Sequence, residues 1–192
     1  MTDERGQPKV LGFASADRVT SLPASGPGST QRAVSYDDFT VDGVRLFKIL
    51  FAAHKPDDVT LFDAAWPEGA VKEVDELLGT RQPELDDGRV PLYVCAECAD
   101  LGCGALTAEI ERIDDLVIWK NFGWQNDYED GWEVGEYQDL SSLAPITFER
   151  GQYERVLQEA RDRYVDMPRT PPPEAPTAPV SLMKRLVRRF RR

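Results

Sequence analysis

The sequence predicts an α+β domain in which an antiparallel β meander carries helices on one face and a cysteine loop joins two of its strands. Three observations predict it. Leu106, Ala108 and Ile110 alternate with Thr107, Glu109 and Glu111, the period of two expected of a strand with one buried face. Tyr153, Val156, Leu157, Ala160 and Tyr164 recur at i, i+3, i+4, i+7 and i+11, the stripe of a helix lying on a core. Cys95, Cys98 and Cys103, the only cysteines, fall between the apolar run Val90–Cys95 and the alternating segment.

Taken in chain order, residues 1–33 contain Ser21-Leu-Pro-Ala-Ser-Gly-Pro-Gly-Ser-Thr30 and no apolar period, which reads as a disordered and dispensable leader. The α+β body spans residues 34–167. It begins with Phe39-Thr-Val41, the turn pair Asp42-Gly43 and the apolar run Val44 to Ala53, which suits strand or buried helix, with helix favoured. Pro67 in a first turn, Val71, Val74 and Leu78 at i, i+3 and i+7, and Gly79 as a stop signal mark the next helix. Val90 to Cys95, Leu106 to Glu111 and, past Asp114-Asp115, Leu116 to Lys120 then form a three-strand meander. Pro145 to Phe148 offers a further strand ahead of the final helix. Residues 168–180 hold so many prolines, each lacking a backbone donor and fixing φ, that they read as an extended, semi-rigid linker. Ser181 can cap a short helix over 181–192.

Composition narrows the class. Hydrophobic content is 41%, and no stretch approaches the roughly 18 apolar residues of a membrane span. The acidic start Met1-Thr-Asp-Glu is followed by no apolar segment, so the expected location is the cytoplasm, where thiols stay reduced. Three closely spaced thiols then point to metal binding or redox work rather than a disulfide framework. Charge is divided unevenly. From Pro168 onward seven basic residues face one acidic residue, a net +6, leaving −17 on residues 1–167 of a chain whose total is −11. Such an acidic body disfavours nucleic acid, while the tail favours anionic surfaces.

In the run Tyr93-Val-Cys-Ala-Glu-Cys-Ala-Asp-Leu-Gly-Cys-Gly104, a loop between strands brings Cys95 and Cys98 toward one ion, with Cys103 returning as the next strand begins. This supplies three thiolates for a structural zinc. The fourth ligand would be His54, the single histidine, or a carboxylate such as Asp100. Alternatives are a thiol oxidoreductase using Cys95 and Cys98, or three small core residues with no chemistry. A zinc deaminase is excluded, because His54 is followed by Lys55-Pro56 and Val94 precedes Cys95. Iron–sulfur clusters usually take four cysteines. The Tyr93 to Thr107 block, with Trp119-Lys-Asn-Phe-Gly-Trp124, resembles a group of uncharacterised actinobacterial proteins carrying a Tyr-Val-Cys-x-x-Cys-x-Asp-Leu-Gly-Cys-Gly segment. Some such proteins carry the label oxidoreductase, and the resemblance implies no established activity, substrate or catalytic residue.

Between Asn121 and Phe148 there is no basic residue, and acids from Asp127 to Asp139 interleave with Trp124, Tyr128, Trp132 and Tyr137. A calcium loop fails here, since Tyr128 and Tyr137 would occupy ligand positions. A solvated acidic loop, or an acidic inhibitor or immunity-type surface for a basic partner, remains. No Ser-His-Asp, P-loop or dinucleotide pattern is present, so no catalytic residue is assigned. In the tail, Leu182, Met183, Leu186, Val187 and Phe190 form one helical arc, and Lys184, Arg185, Arg188, Arg189, Arg191 and Arg192 form the other. An anionic membrane surface suits both arcs, placing the protein peripherally at the inner membrane face; a protein partner is the alternative. The expected function is a zinc-stabilised binding or adaptor module with a membrane-associating tail.

Overall fold

The computed structural model describes residues 7–19, 33–50, 58–64, 66–96, 99–125, 140 and 143–168. Strands β1 (Leu11–Val19), β2 (Ala33–Val41) and β3 (Val44–Arg45) form a three-stranded sheet in the order β1-β2-β3. Strands β4 (Asp58–Val59), β5 (Val90–Cys95), β6 (Ala105–Ile113), β7 (Leu116–Gln125) and β8 (Ile146–Glu149) form a five-stranded sheet in chain order. Neighbouring strands in both sheets run antiparallel. With helices α1 (Leu46–Leu50), α2 (Pro67–Leu78) and α3 (Arg150–Val165), the fold is α+β, as the sequence predicts.

The meander follows the sequence closely. Strands β6 and β7 turn at Asp114-Asp115, where Asp114 takes φ +48°, a left-handed conformation that Asp tolerates better than most residues. Helix α2 begins with Pro67, whose missing donor costs nothing in a first turn, and ends at Gly79, left-handed at φ +72°. The Gly79 and Thr80 amides return to the Glu76 and Asp75 carbonyls at 3.0 and 2.9 Å. Helix α3 starts where the Glu149 carboxylate accepts from the Gly151 and Gln152 amides at 2.9 and 2.7 Å, bonds that hold its carboxyl below the usual range. The apolar run Val44 to Ala53, read as helix, is strand β3 and then the short α1, with residues 51–53 outside the described set.

The largest departure lies in the expected leader. Residues 11–19 are not a dispensable extension: β1 pairs with β2 along nine consecutive residues, and Leu11 is only 1% exposed. Gly12, Ala14, Ser15 and Ala16 dilute the strand's apolar content, so the alternation carried by Leu11 and Phe13 is too short to register as a period. The strand is also tied to the other sheet. The Lys9 amide donates to the Thr147 carbonyl at 2.7 Å, and the Gln152 side chain accepts from the Leu11 amide at 3.1 Å and donates to its carbonyl at 2.7 Å.

One core joins the two sheets. Phe39 of β2 meets Trp119 of β7 edge-on, with ring centroids 5.3 Å apart, and Trp119 in turn meets Phe148 and Tyr153 at 5.2 and 6.1 Å. Helices α2 and α3 pack on each other, α2 against β5, and α3 against β1, β7 and β8. The second sheet is therefore part of the same hydrophobic unit, an arrangement the expected single meander does not contain. Among the described residues no helix is long and apolar enough to cross a membrane.

Candidate functional site

Strand β5 delivers Cys95 to the end of the meander, where it pairs with Asp58 of β4. The chain turns at once: the Ala99 amide donates to the Cys95 carbonyl at 2.9 Å, and Ala99 is left-handed at φ +52°. Asp100 then caps a single 3-10 turn, Leu101–Cys103, its carboxylate accepting from the Gly102 amide at 2.8 Å. Leu101 anchors the loop from beneath by packing into a small cluster with Leu61, Leu85, Val94 and Ala105. Gly104 closes it at φ +92°, against the Trp124 indole, where a Cβ would stand 2.4 Å from ring atoms. The Asp-Leu-Gly-Cys-Gly part of the motif is thus explained as loop architecture: a cap, an apolar anchor and a glycine that conformation and space both demand.

Cys95 is half-buried and Cys103 exposed at the two ends of this loop. Cys98 and His54 lie outside the described residues, as do the acidic loop 126–139 and the basic tail with Leu182, Lys184, Arg185, Leu186, Arg188, Arg189, Phe190, Arg191 and Arg192. Among the described residues no three His, Cys, Asp or Glu side chains gather into a metal-ligating group. One Asp100 carboxylate oxygen accepts the Gly102 amide in the cap, which fixes the orientation of this carboxylate in the loop.

The structure adds a set of buried polar groups that sequence reasoning missed. Glu73 of α2 is 1% exposed; one carboxylate oxygen accepts from the Leu61 amide at 2.9 Å, and the other has no partner among the described residues. Burial, followed by the neighbouring Glu76, pushes its carboxyl well above the ordinary value despite the amide bond. Asp38 of β2 is likewise buried and raised by desolvation, and accepts a hydrogen bond from the Tyr93 hydroxyl. Burial and then Asp38 raise the Tyr93 phenol in turn. Tyr153 donates to the Leu77 carbonyl at 3.1 Å and accepts from the Trp119 indole at 3.2 Å. These acids and phenols sit among core aromatics and backbone, where their hydrogen bonds join α2, α3, β2, β5 and β7.

Arg89 is a second missed group with an architectural role. The β6–β7 register shifts between Thr107 and Glu109, and Arg89 donates there to the Thr107 hydroxyl at 2.8 Å, the Thr107 carbonyl at 3.1 Å and the Asn121 carbonyl. The guanidinium supplies donors to carbonyls that the interrupted ladder leaves over. A sequence signal existed for Glu73. It stands beside Ala70, Val74 and Leu77, the residues α2 fully buries, whereas the stripe through Val71, Val74 and Leu78 centred the helix a fraction of a turn away. A groove of about 230 Å³ between α2 and α3 is lined by Pro67, Val71, Lys72, Tyr164 and Met167.

The fold and the site define an α+β protein of two antiparallel sheets on one core, with a thiol-bearing loop at the end of the meander. No protein-family model matches the chain, and neither the curated proteins nor the solved structures give a match.

Proposed function

We propose that the protein is a binding module whose folded acidic body carries a basic, amphipathic C-terminal segment to an anionic membrane surface. The observation that carries this reading is the division of charge, +6 beyond Pro168 and −17 before it, combined with complete segregation of apolar and basic side chains in residues 181–192. A short amphipathic segment of this kind gains little from forming a helix alone in water and more from burying its apolar arc in an interface. Each basic side chain near anionic lipid adds on the order of 1 kcal/mol. Helix α3 ends with its C-cap Asp166 exposed, and Pro168, the first residue of the proline-rich stretch, is exposed as well, so that stretch begins at the surface of the body. Flotation with vesicles of phosphatidylcholine and phosphatidylserine tests this. Full-length protein is expected to float, and removal of residues 181–192 to weaken binding by about tenfold or more; equal flotation of the two would refute it.

In the same reading the thiolates of Cys95, Cys98 and Cys103 hold a structural zinc that pins the loop, with His54 or the Asp100 carboxylate completing the site. The supporting features are the Ala99 amide's bond back to the Cys95 carbonyl and the capped 3-10 turn Leu101–Cys103, which returns the chain to the sheet at β6. Elemental analysis of protein purified under reducing conditions is expected to give about one equivalent of zinc, lost in Cys98→Ser. A stably folded, metal-free wild type would overturn it.

A further inference from the structure

A second groove, of about 630 Å³, runs along the junction of α3 and β1. Phe13 and Val156 supply its apolar lining, both partly buried against the core, and Glu159, Asp162 and Asp166 stand exposed along α3 with Arg163. Arg163 is directed to Asp37 at 3.4 Å, and no ion pair among the described residues engages Glu159 or Asp166. Asp162 accepts from the Gln158 side-chain amide at 2.8 Å, so the surface combines an apolar strip with acids of which Glu159 and Asp166 have no ion-pair partner among the described residues.

We propose that this groove is the resting site of the chain's own residues 181–192. Charge and shape agree: the arc of Leu182, Leu186 and Phe190 matches an apolar strip, and the flanking Lys184, Arg185, Arg188 and Arg189 match a row of acids. Reach agrees as well. Asp166 is itself in the groove, and the proline-rich stretch begins two residues later at the exposed Pro168. An extended linker over 168–180, at about 3.1 Å per residue, covers on the order of 40 Å, more than the roughly 24 Å length of α3, so the tail can turn back along the helix it follows. Because the apolar arc can be buried only once, body and lipid compete for it, and the tail is withheld until an anionic surface draws it off. The docking stands on the groove alone; the competition rests on the membrane reading above.

Brief trypsin digestion of the full-length protein, without vesicles, reports docking through the rate of cleavage after Lys184 to Arg189. The combined variant Glu159→Gln, Asp162→Asn and Asp166→Asn changes only exposed groups and adds no trypsin site, and a thermal melt checks that it folds. It is expected to raise tail cleavage by about fivefold or more, and Leu186→Ser with Phe190→Ser, which leaves the body untouched, by a similar factor. Wild-type cleavage rates in the groove variant would overturn the proposal, whatever the tail variant does. Flotation of the same groove variant separates the two readings: faster cleavage with increased flotation supports competition, and faster cleavage with unchanged flotation keeps the docking while rejecting the membrane as its competitor.

Discussion

Removing residues 1–19 is expected to abolish cooperative folding, and Leu11→Ala alone to cost about 2–5 kcal/mol. Leu11 is buried in the common core, and β1 supplies the full antiparallel partner of β2. Without β1, Phe39 and Phe62 lose the Phe13 ring, whose centroid lies 5.4 and 4.8 Å from theirs, and α3 loses the backbone that Gln152 grips. A domain of this size has about 5–15 kcal/mol of net stability, so the loss of a whole core strand exceeds what it can absorb. Urea titration followed by circular dichroism compares wild type, Leu11→Ala and the truncation. A truncated protein with an unchanged midpoint would show the strand to be an accessory.

Glu73→Gln is expected to remove a large part of the pH dependence of stability. The Glu73 carboxyl is raised in the fold, mainly by burial, above its ordinary 4.5. Below about 4.5 both folded and unfolded chains hold the proton, and burial of the neutral acid carries no charge penalty. As pH rises past that point the unfolded chain releases the proton while the folded chain retains it, so unfolding is favoured by about 1.4 kcal/mol per pH unit until the folded group also ionises. Stability attributable to Glu73 is therefore greatest in acid and falls toward neutral pH, the reverse of a salt-bridged carboxylate. Gln keeps the acceptor for the Leu61 amide and cannot ionise. Urea midpoints at pH 5 and pH 8 are expected to diverge for wild type more than for Glu73→Gln, the variant being the more stable at pH 8. Parallel pH profiles would show that Glu73 does not bind a proton preferentially in the fold. Asp38, also raised by burial, adds a residual slope in the same direction to both proteins.

The same sequence gave its local elements readily and its long-range ones poorly, for reasons visible in particular residues. Pro67 and Gly79 bracket α2 because a helix end is decided by one residue's φ and one missing donor. The alternation through Leu106, Ala108 and Ile110, and the stripe from Tyr153 to Tyr164, identify β6 and α3 because periodicity is written into consecutive side chains. Strand β1 left little trace. Four of its nine residues are Gly, Ala or Ser, and it is a strand because β2, Gln152 and the Phe39 face accept it. The cysteine loop stands between these cases: its cap at Asp100 and its glycine at 104 are local, and the need for that glycine comes from Trp124, a residue on another strand.

By itself the sequence determined the α+β class, the meander, two principal helices and the separation of an acidic body from a basic tail, since each depends on neighbours within a few residues or on simple charge. Tertiary structure alone decided that residues 11–19 form a strand of the folded body with Leu11 in its core, that Glu73 and Asp38 are buried, that Arg89 serves an interrupted β ladder, and that Phe13 and the acids of α3 share a groove. Burial and pairing are properties of which distant surfaces meet. They appear when β1 reaches α3 and α2 turns its Glu73 face inward, and no period along the chain records either event.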